Sequence, residues 1–141
     1  MTVYADSSFL VSSYVPDGHT PEVLRRLSDR PRIWFTPFHE VEISNAVAQQ
    51  VFRGMIAAER ATQVYQDISR DCATGVWMLT GFPEEAFTKG VALARTHVAK
   101  FGTRTLDSLH VAAALELKAE QFWTFDDRQA KLAKAAGLKV R

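Results

Sequence analysis

Asp6 ends the apolar run Val3-Tyr4-Ala5, and Asp126 follows the run Phe122-Trp123-Thr124-Phe125, while Glu42 and Asp107 lie inside segments patterned as helices. A carboxylate at the carboxyl end of a buried strand points into the crevice where open α/β sheets bind ligands. Carboxylates gathered in one crevice repel one another unless a cation neutralises them. Oxygen donors without thiolates favour Mg²⁺ or Mn²⁺ over softer metals. These residue types and positions point to phosphoryl chemistry.

The elements that must position these acids are legible in outline. Residues 2 to 6 read as a short buried strand, with Ser7 or Ser8 capping the helix that carries Phe9, Leu10, Val11 and Tyr14. Pro21 suits the first turn of a second helix, stopped near Arg30-Pro31, and Ile33-Trp34-Phe35 forms a second strand. Helices from Pro37 to Arg53 and from about Ala57 to Cys72 are closed by Gly54 and Gly75. Val76 to Leu79 reads as a third strand, Pro83 to Val98 and Thr105 to Lys118 as helices, and Phe122 to Phe125 as a fourth strand. Asp127 to Ala136 forms a final helix before Gly137, with Leu138-Lys139-Val140 as a last short strand. Strands alternating with helices argue for an α/β fold: a central, mostly parallel sheet of four or five strands with helices on both faces.

A chain of 141 residues, 47% hydrophobic and 23% charged, suits one packed domain, and no repeat or linker divides it. Its net charge of +1 carries no overall nucleic-acid signal, but residues 100 to 141 hold 8 of the 17 Lys and Arg against 5 of the 16 Asp and Glu. Lys100, Arg104, Arg128, Lys131, Lys134 and Lys139 surround the late acids as a modest positive rim that attracts phosphate. Cys72 is the only cysteine, which excludes an internal disulfide and a Cys-rich zinc cluster and fits a reducing cytoplasm. Neither export nor membrane insertion is expected, because Asp6 breaks the opening apolar run.

Each acid also has a plainer reading. Glu42 shares a helix face with Asn45, Ala46 and Gln49, and alone would be an ordinary surface acid. Asp107 stands in the first turn of a helix whose stripe Leu106, Leu109, Ala113 and Leu117 has core spacing, where an Asp serves as cap or dipole partner. Asp126 and Asp127 share a strand exit. Asp126 is the better site candidate because it follows the apolar strand directly, leaving Asp127 at or near the cap. His110, one turn after Asp107, reads as structural. Thr124 and Ser8 stand close enough in sequence to orient a carboxylate or simply to satisfy backbone.

The motifs D-S-S-F-L, E-I-S-N-A-V, R-T-L-D-S-L-H-V-A-A-A-L and T-F-D-D-R-Q-A-K-L-A-K-A-A-G-L-K-V resemble, in order and spacing over essentially the whole chain, the PIN domain. Within it they look most like the VapC-type ribonuclease toxins of bacterial toxin–antitoxin modules. By that match Asp6, Glu42, Asp107 and Asp126 take the places of the family's four acids, and Asn45, Thr124 and Ser8 match its accompanying polar positions. Some members carry a further acid where this chain has Arg128, which leaves the number of metal ions open.

The resemblance implies a three-layer PIN-like fold and an endoribonuclease that uses Mg²⁺ or Mn²⁺ to leave 5′-phosphate and 3′-hydroxyl ends. It also implies an antitoxin partner and a homodimer. An antitoxin helix would lie near Leu10, Tyr14, Leu24, Val51 and Phe52 and send an arginine toward the carboxylates. A haloacid-dehalogenase-type phosphohydrolase is disfavoured, since its Asp-x-Asp is here Asp6-Ser7-Ser8, and a receiver domain lacks an acid after the third strand. A non-catalytic PIN-like module that binds RNA or protein is the alternative from another class.

Overall fold

The computed structural model describes residues 1–141. The fold is α/β, with a four-stranded parallel sheet in the order β3-β2-β1-β4. Its contacts gather into two compact units, one continuous (residues 7–80) and one split (residues 1–6 and 81–141). No helix is long and apolar enough to cross a membrane.

The split unit is built on β1 (Thr2–Ala5) and β4 (Gln121–Trp123), paired in parallel with Tyr4 opposite Phe122. Val3, Tyr4, Ala5, Phe122 and Trp123 are all fully buried, as expected for parallel strands covered on both faces. The expected last strand contributes only a bridge between Phe122 and Val140, so the sheet has four strands, not five.

Around this pair stand α5 (Glu85–Leu93), α6 (Ala99–Phe101), α7 (Thr105–Glu116) and α8 (Asp127–Ala135). The helix expected over 83–98 is interrupted: residues Ala94–Val98 wind as a wider π-helical turn, and Gly102, with φ 67°, ends the run after α6. Helix α7 packs closely on α5 because Gly90 has no side chain; a Cβ there would come within 3.3 Å of Leu109 Cδ2. Its buried face also differs from the expected stripe. Ser108, His110, Val111, Ala112, Ala113 and Ala114 are buried, whereas Leu106 is 48% exposed. The three alanines allow burial on several sides at once, and the Tyr4 hydroxyl pairs with His110 Nδ1 at 2.8 Å, which fixes the face toward β1.

The continuous unit holds β2 (Arg32–Phe35) and β3 (Met78–Leu79), also parallel, with α1 (Ser7–Tyr14), α2 (Thr20–Leu27), α3 (Pro37–Phe52) and α4 (Ala58–Ala73). Helix α3 starts sharply. Thr36 accepts from His39 N, His39 Nδ1 accepts from Thr36 N at 3.1 Å, and Pro37 fills the first turn, a capping box with His in the usual Glu or Gln place. Strand β3 is shorter than the apolar run that suggested it. Val76 N donates to Asp71 O and Gly75 N to Cys72 O, closing the end of α4 with Gly75 at φ 80° and taking residues 75 and 76 away from the sheet.

Of the residues expected on an apolar docking face, Leu10 is fully buried and belongs to the core. Tyr14 and Val51 are half-buried, and Leu24 and Phe52 are exposed. A cavity of about 910 Å³ opens beside Tyr14 and Leu24, lined also by Leu27, Trp77, Leu79 and the end of α4, whereas Val51 and Phe52 are not among its lining residues.

Candidate active site

Strand β1 delivers Asp6 to its carboxyl end, where Asp6 N still donates to Trp123 O of β4 at 3.0 Å. The side chain is 6% exposed. A carboxylate this far from water needs donors, and Thr124 supplies one: its hydroxyl reaches Asp6 Oδ2 at 2.8 Å. That hydroxyl also lies 2.7 Å from Gln129 Oε1 and accepts from Asp126 N at 3.0 Å. A threonine has one proton to give, and the charged carboxylate is the stronger acceptor. Thr124 therefore links the exits of β1 and β4, touching both a carboxylate and a backbone N–H.

Asp126 is itself the N-cap of α8, its Oδ1 accepting from Gln129 N at 2.7 Å. The sequence pattern favours Asp127 for that cap. The cap falls one residue earlier because β4 stops at Trp123, so the chain has already turned by Asp126. Capping occupies one oxygen and leaves the other available. Asp127 follows in the first turn, where its charge suits the helix dipole.

Asp107 stands in the first turn of α7, half-buried, with Oδ2 accepting from Arg104 N at 3.3 Å. Its carboxyl is held above the usual carboxylate range, first by burial, which the hydrogen bond from Arg104 N and the nearby His110 oppose and the negative charges of Asp126 and Asp6 reinforce. Asp107, Asp126 and Asp127 line one open cavity of about 510 Å³ together with Gly102, Arg104 and Arg128.

The structure thus brings Asp6, Asp107, Asp126 and Thr124 together in the split unit. Glu42 lies in the continuous unit, half-buried on α3, and accepts from the Ser7 hydroxyl at 2.8 Å. Asn45, a turn further along α3, and Ser8 on α1 are both exposed.

Two residues that sequence reasoning misses are tied to these acids. Ser7 donates to Glu42. Gln129 is fully buried, and its Nε2 donates to Asp107 O at 3.4 Å while its other hydrogen bonds reach Thr124 and Asp126. The signal for Gln129 is present in the chain: it precedes the buried Leu132 and Ala133 by three and four residues, a polar side chain at core spacing.

Oxygen is the only donor these acids offer, and burial with the nearby charges of Asp126 and Asp6 disfavours a bare charge on Asp107, so the donor set suits a hard divalent cation. No three His, Cys, Asp or Glu side chains close into a ready ligand shell. The fit to Mg²⁺ rests on the donor chemistry alone, carboxylate oxygen throughout, since Mg²⁺ is held by one or two carboxylates and keeps several waters.

A family model for the PIN domain matches residues 3–135, nearly the whole chain. The chain belongs to the PIN domain family. No curated sequence is a significant relative. Among solved structures, this PIN domain is similar to Mycobacterium tuberculosis VapC20, described as a sarcin–ricin-loop-cleaving toxin, with TM-score 0.72 and 12% identity over 96% of this chain and 95% of that one. It is similar to VapBC2 from Rickettsia felis, solved bound to a DNA fragment from their promoter, with TM-score 0.67 and 16% identity over 100% and 98% of the two chains. It also resembles a toxin–antitoxin complex from Klebsiella pneumoniae, with TM-score 0.57 and 12% identity over 88% and 86%. At these identities the likeness is one of fold.

Proposed function

We propose that this PIN domain is a Mg²⁺- or Mn²⁺-dependent endoribonuclease, the toxin of a type II toxin–antitoxin module. The observation that carries the reading is the Thr124 hydroxyl joining Asp6 to the Asp126 backbone, beside an Asp107 whose carboxyl pKa is raised by burial and by the charges of Asp126 and Asp6. A divalent cation, when bound, supplies a lowered pKa for a water and neutralisation of charge developing on the leaving oxygen. The chain's own residues do the rest. Asp6 and Asp107 are the main ligands, Asp126 contributes the oxygen not used in capping, and Thr124 fixes the rotamer of Asp6. Glu42 is the fourth acid of the proposal, oriented by Ser7, the residue that follows Asp6. Asn45 and Ser8 are proposed to act around that set through substrate or water, since both are exposed.

The proposed substrate is RNA. The proposed partner is an antitoxin protein seated in the apolar groove of the continuous unit, a reading supported by the toxin–antitoxin complex among the similar structures. Two copies of the chain are proposed to associate as a homodimer, and the cytoplasm is the proposed location.

The test is to express the chain with and without the product of its neighbouring gene, following growth, complex formation and RNA cleavage, with Asp6→Asn as the inactive control. Metal-dependent cleavage, growth arrest by the chain alone and relief by its neighbour are expected. Cleavage with harmless expression and no bound partner would refute the toxin assignment and leave the nuclease one standing. Equal cleavage by Asp6→Asn would refute both.

A further inference from the structure

Five acids and bases line the 510 Å³ cavity: Asp107, Asp126 and Asp127, with Arg104 and Arg128 among them. Opposite charges so placed usually pair. Here neither guanidinium forms a salt bridge, unlike Arg25 and Arg26, which pair with Glu22, and Arg70, which pairs with Asp67.

Folding gives no reason for arginine at either position. Arg104 is the N-cap of α7 and makes no side-chain capping bond, where Ser, Thr, Asp or Asn would. Arg128 stands in the first turn of α8. Both place a cation at the positive end of a helix, which costs stability instead of adding it. Two helix N-termini and two unpaired guanidiniums therefore face a cavity whose remaining groups are carboxylates. The Arg128 head group lies against the turn at Gly102, whose Cβ, were there one, would sit 3.9 Å from Arg128 Nη1.

We propose that Arg104 and Arg128 form a phosphate-binding pair that holds a backbone phosphate of single-stranded RNA beside the bond to be cut. The proposal rests on the nuclease reading. A polyanion approaching several carboxylates is repelled unless positive charge is offered nearby, and the planar guanidinium fork matches two phosphate oxygens at once. The helix N-termini add backbone N–H groups of the right polarity. The acids thus hold the cation and the arginines hold the substrate, so loss of either arginine weakens RNA binding even with no metal present.

The experiment measures binding of a fluorescently labelled single-stranded RNA oligonucleotide by anisotropy, in EDTA, to the Asp107→Asn chain, so that neither metal nor cleavage intervenes. Arg104→Gln and Arg128→Gln are added to that background. Each is expected to weaken binding by roughly tenfold, and to flatten the dependence of log affinity on log salt by about 0.7 for each phosphate that is no longer neutralised. Arg128→Lys keeps the charge without the fork and should fall between. Arg25→Gln, whose parent arginine is bound to Glu22 on the surface, should change neither quantity.

Unchanged affinity and slope in both site variants, or an equal loss in Arg25→Gln, would overturn the pair. Thermal melts of each variant establish that it is folded. Cleavage by the otherwise unsubstituted chain is followed in parallel. Cleavage with arginine-independent binding removes the pair and keeps the nuclease, whereas arginine-dependent binding with no metal-dependent cleavage keeps the pair as an RNA-binding site and removes the nuclease.

Discussion

Each unit of this PIN domain is a pair of parallel strands dressed with helices, and each carries a partly buried cluster of polar side chains, yet the two clusters are built to different ends. In the continuous unit, the Tyr14 hydroxyl donates to Asp71 Oδ2 at 2.5 Å and accepts from Trp77 Nε1 at 2.6 Å. One acid meets one hydroxyl and one indole, and burial together with Asp71 pushes the Tyr14 phenol far above its ordinary value, so it stays protonated as a donor. In the split unit, Asp6, Asp107 and Asp126 each accept from a donor, yet burial, and after it the charges of Asp126 and Asp6, hold the Asp107 carboxyl above the usual range. A closed network serves stability. A network in which burial and like charge raise a carboxyl pKa stores a cost that a cation can relieve, and this cost, more than the presence of acids, separates the proposed site from the Tyr14 cluster.

The comparison breaks first at Asp107. Asp107→Asn should lower cleavage by roughly a thousandfold, the several kcal/mol that one metal-ligating carboxylate supports, as read by gel-resolved RNA cleavage at saturating Mg²⁺. The same variant should be more stable than the parent without metal. A raised carboxyl pKa means that the folded chain binds that proton more tightly than the unfolded one, so Asp107's contribution to stability falls as pH rises between the ordinary carboxylate pKa and its raised value. The gain from Asp107→Asn should therefore be largest near neutral pH and vanish as pH falls through that window, measured by urea titration in EDTA.

A second prediction concerns the groove of the continuous unit, whose volume of about 910 Å³ is walled mostly by apolar side chains. Leu24 and Leu79 are 55% and 59% exposed there. Replacing both with Asp should weaken antitoxin binding by about a hundredfold, the scale of interface anchors, in a titration with the purified partner. Metal-dependent cleavage by the free chain should persist. Loss of cleavage with the antitoxin affinity intact would invert the roles assigned to the two units.

Smaller effects separate the two networks. Thr124→Val leaves Asp6 Oδ2 and Asp126 N without their hydroxyl and should cost about 2 to 3 kcal/mol, with cleavage falling alongside because Asp6 loses its fixed rotamer. Tyr14→Phe removes the acceptor of Trp77 and the donor to Asp71 and should cost about 1 to 2 kcal/mol, with cleavage unchanged. Denaturation midpoints and initial rates, measured together, test whether stability and activity separate in the one unit and travel together in the other.

The main elements are readable from sequence because their signals are local. Buried apolar runs announce β1 and β4, and the glycines at 54, 75 and 137, all with positive φ, mark helix ends. The π-helical turn at Ala94–Val98 has no glycine or proline to announce it, since it answers to packing. The face of α7 departs from its apolar stripe for a related reason: alanine is apolar on every side, and only the partners Tyr4 and Gly90 decide which sides are buried. Of the site, the placement of Asp6, Asp107 and Asp126 follows from strand ends and a first helical turn. Their hydrogen-bonding partners do not, because Ser7 reaches Glu42 across 35 residues and Gln129 reaches the Asp107 backbone across 22.

The central claim is that the carboxylates of Asp6, Asp107 and Asp126 are held together for a divalent cation. Thermal unfolding of the chain and of Asp107→Asn across a series of Mn²⁺ concentrations tests it most directly, because a ligand that binds only the folded state raises the melting temperature with its concentration. A progressive rise is predicted for the parent chain and little or none for Asp107→Asn; an equal rise in both, or none in either, would contradict the claim.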